Sequence, residues 1–253
     1  MLALIFILVM IAAALFGIMG LGSGIIYVPL LSWWGLDFAT GAVPMGLLLS
    51  IATGAGAAYT YARLGLVHKS TGLAAASTVL LGAPLGVKAL HFFPISYVKI
   101  ILAVTAVYVA IRALRSGEPH LHQHHAYALT MGLTLLVGFF MGFFSALIGV
   151  GGGFLLAPVL LARGYPVKEA VGTTALVVTI CTFTAFLFHL PTADFPLRPA
   201  ILLAGAALLG ARLGGIWATR HANPKTLRLL VAVVIIGIAV KVGGEGFIAL
   251  AGQ

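Results

Sequence analysis

Eight apolar runs follow one another along the chain with only short polar breaks: Met1 to Trp34, Ala39 to Ala62, Thr71 to Leu90, Val98 to Ile111, Ala126 to Leu161, Ala170 to Leu190, Ala200 to Ala218 and Leu227 to Val240. Most reach the roughly 20 residues that an α-helix needs to cross hydrocarbon. None alternates with period 2, so they read as helices and not as barrel strands. Of the 253 residues, 62% are hydrophobic and 8% charged, which leaves too little polar surface to cover a water-soluble globule. The fold class is therefore an all-α polytopic membrane protein. The first run has no basic residue ahead of its apolar core and no small-residue cleavage site, and reads as a first membrane helix rather than a removable signal.

Two of the runs contain the same interruption. Gly20 to Leu30 reads GLGSGIIYVPL and Gly149 to Val159 reads GVGGGFLLAPV, each a glycine cluster with a proline five residues past its last glycine. Leu80 to Gly86 (LLGAPLG) likewise answers Leu208 to Gly214 (LLGARLG), and Pro94 with Val98 and Lys99 answers Pro224 with Leu227 and Arg228. The offset stays between 128 and 130, the mark of an internal duplication of the kind transporters use. The expected organisation is a first membrane repeat over 1–115, a polar His-rich linker over 116–125 and a second membrane repeat over 126–253.

Charge decides how the copies are oriented. If each glycine motif joins two membrane segments, each half has five, an odd number, and the second half enters the bilayer upside down. One face then collects Arg63, Lys69, Arg112, Arg115, Arg163, Lys168, Arg220, Lys225 and Arg228, against Lys88, Lys99, Arg198 and Lys241 on the other. By the positive-inside rule both termini lie outside the cytoplasm, and the repeats are inverted. A parallel arrangement of four plus four spreads the same charges almost evenly. Only 34 residues precede Gly35, too few for two full crossings, so Gly20 to Gly24 is expected at membrane depth, joining broken or re-entrant helices. The net charge of +9 sits in short loops between spans, where it orients the protein and meets anionic lipid; nucleic acid is not an expected partner.

Glycine weakens a helix, and several within five positions suit an unwound backbone whose N–H groups face a cavity. Such a break followed by a new helix start offers a positive site to an anion without any charged side chain. Close helix packing is the competing reading of the same glycines. The expected binding set is Gly22, Ser23 and Gly24 from the first copy, Gly151, Gly152 and Gly153 from the second, Gly172, Thr173 and Thr174 from the helix after it, and Arg212, the deepest cation. Hydroxyls at Ser50, Thr53, Tyr59, Thr60, Thr179, Thr182 and Thr184 also follow the motifs, although any of them can instead bond the preceding helical turn. All five carboxylates, Asp37, Glu118, Glu169, Asp194 and Glu245, fall at predicted ends or loops, so no buried acid relay is visible. His68 and His189 lie near boundaries and read as passive. The run HLHQHH from His120 reads as a solvated linker rather than a metal site, and Cys181, the single cysteine, excludes an internal disulfide. No catalytic residue, metal or cofactor is expected.

The motifs GLGSGIIYVPLL and GVGGGFLLAPVLLARGYPVKEAVGTTAL, with LLGARLGGIWATRHANPKTLRLL downstream, resemble the TauE/SafE family of membrane permeases, the sulfite exporter group. The likeness spans nearly the whole chain. It implies a plasma-membrane transporter of small sulfur-containing anions such as sulfite, sulfoacetate or thiosulfate, with some family members moving other organic anions. Carried over by residue, it places the functional backbone at Gly20, Gly22, Gly24 and Pro29, at Gly149, Gly151, Gly152, Gly153 and Pro158, and at Gly172 and Thr173. Ala42 to Met45 reads AVPM where the second copy has VGTT, so the second half is expected to contact substrate more.

The function expected from these features is a secondary transporter, an exporter working by alternating access, with the anion held between the two glycine motifs. Its partners are a small anionic substrate, membrane lipid and, for assembly, a second copy of the chain as a homodimer. An anion channel, or a carrier of non-sulfur anions, on the same fold is the alternative. An intramembrane serine protease fits poorly, because Leu21 stands where a G-x-S-G motif needs glycine and no histidine is central.

Overall fold

The computed structural model describes residues 2–20, 22–115, 127–162, 165–221 and 224–251. The linker over 116–125, with Glu118 and the histidine run, lies outside them, as do Leu21 and Arg163. Ten α-helices follow in order: α1 Leu2–Met19, α2 Gly24–Trp33, α3 Val43–Arg63, α4 Lys69–Phe92, α5 Ile95–Arg115, α6 Tyr127–Ile148, α7 Gly153–Ala162, α8 Val167–His189, α9 Leu197–His221 and α10 Pro224–Ala251. There is no strand among the described residues. Five helical stretches are long and apolar enough to cross a membrane: Phe38–Arg63, Lys69–Leu90, Met131–Ile148, Lys168–Thr192 and Leu197–Trp217. The chain is an all-α, multi-pass membrane protein.

Both predicted interruptions are real. The first run breaks between Met19 and Gly24, the fifth between Ile148 and Gly153, and each break is followed by a helix of ten residues. At about 1.5 Å per residue such a helix covers about 15 Å, half the hydrocarbon thickness. Asp37 then starts a five-residue π-turn, Phe38–Ala42, that leads into α3: its carboxylate accepts from the Ala39 and Thr40 N–H groups at 3.0 and 2.9 Å and from the Thr40 hydroxyl. These bonds, the Thr40 N–H above all, hold the Asp37 carboxyl below its ordinary pKa.

At the centre α3 and α8 run antiparallel. The Asp194 N–H donates to the Thr40 carbonyl at one end (2.8 Å). Gly54 lies against Thr179 in the middle, and Gly172 lies against Tyr61 and the Leu66 carbonyl at the other end. α5 and α10 are also antiparallel, with Gly246 beside the Ser96 carbonyl, Gly243 beside Ala103 and a Lys99–Glu245 ion pair of 3.2 Å between them. Glu245 was expected at a helix end or in a loop; instead α10 continues through it to Ala251, and its carboxylate also accepts from the Trp33 indole at 2.9 Å. The glycines at 243 and 246, which end the apolar run in sequence, are where α5 comes close.

Two parallel seams complete the bundle. On α4, Gly82 faces the backbone of Phe139 and Phe143, and Gly86 that of Phe143; on α6, Gly138 and Gly142 face Ala75 and Val79 in return. α9 repeats the device against α1: Gly210 faces Met10, Gly214 faces Ala14, and Gly17 faces Ala211. Four-residue spacing puts these glycines on one side of each helix, so the backbones touch, which is how membrane helices gain packing without a hydrophobic driving force. The LLGAPLG and LLGARLG segments are thus the two seams, and exchanging the first five helices for the last five turns one seam into the other.

Candidate functional site: the crossed glycine breaks

The two breaks meet. A β-carbon on Gly24 would overlap the Gly149 carbonyl oxygen and lie 2.9 Å from the Val150 Cα, while one on Gly22 would lie 3.1 Å from the Val150 carbonyl and 3.5 Å from the Gly151 Cα. Both Gly22 and Gly151 also touch Val178, at 3.1 and 3.4 Å measured the same way. Val178 is the middle residue of α8, so the junction lies half-way along a spanning helix. The turns need glycine: φ is +63° at Gly20, +78° at Gly22, +74° at Gly149, +83° at Gly151 and +69° at Gly152.

One position separates the two copies. Ser23 has φ of −98°, a conformation open to any residue, whereas its counterpart Gly152 is left-handed and presses on Met141. The serine is therefore possible only in the first copy. It precedes α2 at the capping position, yet its hydroxyl does not cap that helix. It donates to Thr53 Oγ1 at 3.0 Å; Thr53 donates in turn to the Leu49 carbonyl at 3.0 Å and lies 2.9 Å from the Tyr27 hydroxyl. Ser23, Tyr27 and Thr53 are all fully or almost fully buried, so this chain of hydroxyls ties the first break to the middle of α3. In the second half Thr182, the counterpart of Thr53, bonds only its own helix, to the Val178 carbonyl at 2.8 Å.

Among the described residues the buried polar side chains are hydroxyls and His189, with no buried Lys, Arg, Asp or Glu. No three His, Cys, Asp or Glu side chains come together among those residues. Two hydroxyls, Ser50 on α3 and Thr174 on α8, are wholly buried without a hydrogen-bond partner, and a third, Ser145 on α6, has only the Cys181 thiol beside it. A buried hydroxyl without a partner costs about 1–3 kcal/mol, so Ser50 and Thr174 among packed helices call for an explanation beyond stability. Ser145 carries no sequence signal of its own: it lies in an apolar stretch four residues before the second glycine cluster, and only the folded chain shows it buried beside Cys181.

The other residues expected at the site fall in different places. Gly153 opens α7, as Gly24 opens α2. Gly172 and Thr173 belong to the helix-end packing: Gly172 admits the Leu66 carbonyl, and Thr173 Oγ1 accepts the His68 N–H at 2.9 Å, closing the α3–α4 turn. Gly20 reaches the same end, against the Val171 carbonyl. Arg212 is exposed and lies over the exposed Tyr59 ring, 5.0 Å from its centroid, at the α3–α9 contact. His189, expected to be passive near a boundary, is 1% exposed, and its Nε2 lies 2.6 Å from the Ala146 carbonyl, holding the end of α8 to α6 just before the second break.

Among the described residues, ten α-helices, two of them ten residues long and starting from glycine breaks that touch half-way along α8, make a polytopic membrane protein. The sequence profile of the Sulfite exporter TauE/SafE family matches residues 5–242, and the chain belongs to that family. Curated relatives include a probable membrane transporter protein, YunE, of Bacillus subtilis (strain 168), 27% identical over 52% of this chain and 46% of its own. Another probable membrane transporter protein, from Haemophilus influenzae, is 28% identical over 65% of this chain and 64% of its own. The Sulfite exporter TauE/SafE family protein 3 of Arabidopsis thaliana is 24% identical over 46% of this chain and 25% of its own. The chain spans about half the length of the first curated relatives it matches. No solved structure matches it.

Proposed function

We propose that this protein is a secondary transporter of small oxyanions, sulfite and organosulfonates foremost, in the plasma membrane, and that the anion binds where the two glycine breaks cross. The meeting of Gly22 and Gly24 with Gly149 and Gly151 beside Val178 carries this reading. Both half-length helices begin at that junction, and a helix start presents unpaired N–H groups and the positive end of its dipole. A site of backbone amides and hydroxyls, without a buried cation, holds a monoanion loosely enough to release it. The orphan hydroxyls of Ser50 and Thr174 are donors of the kind that replaces part of an oxyanion's hydration shell.

The halves are inverted repeats in this proposal, with both termini outside the cytoplasm; the antiparallel course of α3 and α8, corresponding helices of the two halves, supports it. The direct touch of the breaks favours a carrier, which must part them to pass its cargo, over a channel. An inside-negative potential drives a monoanion outward by about 2.3 kcal/mol per 100 mV, so export needs no buried carboxylate relay. Name-level support comes from the relatives described as membrane transporters and as a sulfite exporter family protein.

The deciding experiment is flux in proteoliposomes. Radiolabelled sulfite and sulfoacetate should cross faster with protein than without, saturating with concentration and accelerating under a potential of the right sign. Equal flux with and without protein across a panel of such anions rejects the transporter, and flux that never saturates rejects the carrier in favour of a pore.

A further inference from the structure

Two arginines from different helices converge on one exposed ring. The guanidinium carbons of Arg63, the last residue of α3, and Arg212, on α9, each lie 5.0 Å from the Tyr59 ring centroid. They are therefore no farther apart than twice that distance. Among the described residues the one ion pair joins Lys99 to Glu245, so neither arginine has a carboxylate partner. Cation–π contact with Tyr59 relieves part of the charge, but two like charges on one ring still call for an anion.

The surroundings say which anion. Arg212 sits among exposed apolar side chains, Leu208, Leu209, Leu213 and Ile216, a face that meets acyl chains. It lies five residues before Trp217, 51% exposed and the last residue of an apolar span, while Arg63 ends another span, so both guanidinium groups reach the same bilayer interface. Charge at the interface over an exposed apolar helix face matches a molecule with a negative head and hydrocarbon tails.

We propose that Arg63, Tyr59 and Arg212 form a headgroup site for an anionic phospholipid, its phosphodiester accepting hydrogen bonds from both guanidinium forks and its tails lying along Leu209 and Leu213 of α9. The bound lipid seals the α3–α9 contact, where Gly56 lies against the Leu208 carbonyl and the stem of Arg212. The site is independent of the transported anion and stands or falls separately from it.

Native mass spectrometry of the full chain, released from mixed phosphatidylglycerol and phosphatidylcholine, tests the site. Wild type should retain phosphatidylglycerol in preference to phosphatidylcholine. Arg63→Gln and Arg212→Gln should each cut that preference by about fivefold, the size expected for one basic residue at an anionic surface, with Arg212→Lys keeping more of it than Arg212→Gln. Equal retention of the two lipids by wild type, or unchanged preference in both glutamine variants, overturns the proposal. Sodium phosphate or sodium sulfite displacing the lipid at millimolar concentration would assign the arginines to a free anion and also overturn it. Arg63 ends its helix, so Arg63→Gln gives a reading even if Arg212→Gln fails to insert; circular dichroism confirms that each variant is folded.

Discussion

The Cα of Gly24 and the carbonyl of Gly149 are so close that no β-carbon fits between them. Because these atoms belong to the two separate breaks, the contact sets how the half-length helices α2 and α7 sit relative to each other. Gly24→Ala should therefore cost at least the 1–3 kcal/mol typical of overpacking and depress flux with it. Gly205→Ala, with open space around it on α9 and no positive φ, should be neutral or raise stability by up to about 1 kcal/mol. Thermal unfolding in detergent compares the two; equal melting temperatures would contradict the contact.

The helix seams should respond in the same way as each other. Gly82→Ala on the α4–α6 seam and Gly210→Ala on the α1–α9 seam each push a β-carbon into a facing carbonyl, and each should lower stability by about 1–3 kcal/mol. Measured together, they should add nearly independently, since the seams share no helix.

Thr53 and Thr182 occupy corresponding positions but carry different burdens. Thr53→Val removes the acceptor for buried Ser23 and a partner of Tyr27, and should cost about 1–3 kcal/mol. Thr182→Val removes only bonds to carbonyls that already serve the helix, at 2.8 and 3.3 Å, and should cost clearly less. Denaturant or thermal titration of the pair checks the order.

Ser50→Ala and Thr174→Val should separate binding from stability. Each removes a buried hydroxyl that has no partner, so the fold should be as stable as before or more so. Transport should nonetheless fall, with a raised half-saturation concentration, if these hydroxyls hydrate the anion. Unchanged transport in both would remove them from the site.

Asp37 gives the protein an acid limb. Its carboxyl is held below the ordinary value chiefly by the Thr40 N–H, so its contribution to stability is present above the unfolded carboxyl pKa, about 3.9, and is lost as pH falls through the lower folded value. Asp37→Asn should flatten that part of the stability profile between pH 5 and the acid end, modestly because the group is largely exposed, and leave neutral behaviour little changed. Melting temperature against pH for both forms checks it.

Much of the architecture was legible because membrane helices are written in long apolar runs. The breaks at Gly20–Gly24 and Gly149–Gly153 stood out as glycine clusters, and the shortage of residues before Gly35 pointed to half-length helices. What stayed hidden depended on partners distant in sequence. Thr173 looked like an anion donor, but its oxygen receives the His68 N–H. Gly82 stood in the repeated LLGAPLG segment, but the Phe139 and Phe143 backbone it faces, and Gly138 facing back at Ala75, show only with α4 and α6 side by side; the Ser23/Gly152 difference follows from the sign of φ. Arg212 read as the deepest cation, but the folded chain leaves it exposed, over the ring of Tyr59.

The seams also govern how the protein can be made. α4 rests on α6 and α1 on α9, so neither half owns a complete set of neighbours. Helix α1 must wait in lipid, without its lasting companion, until α9, which ends at His221, has been synthesised. Insertion and assembly are therefore separate events for this molecule, and a translation product cut off before α9 leaves the glycine face of α1 bare to the bilayer.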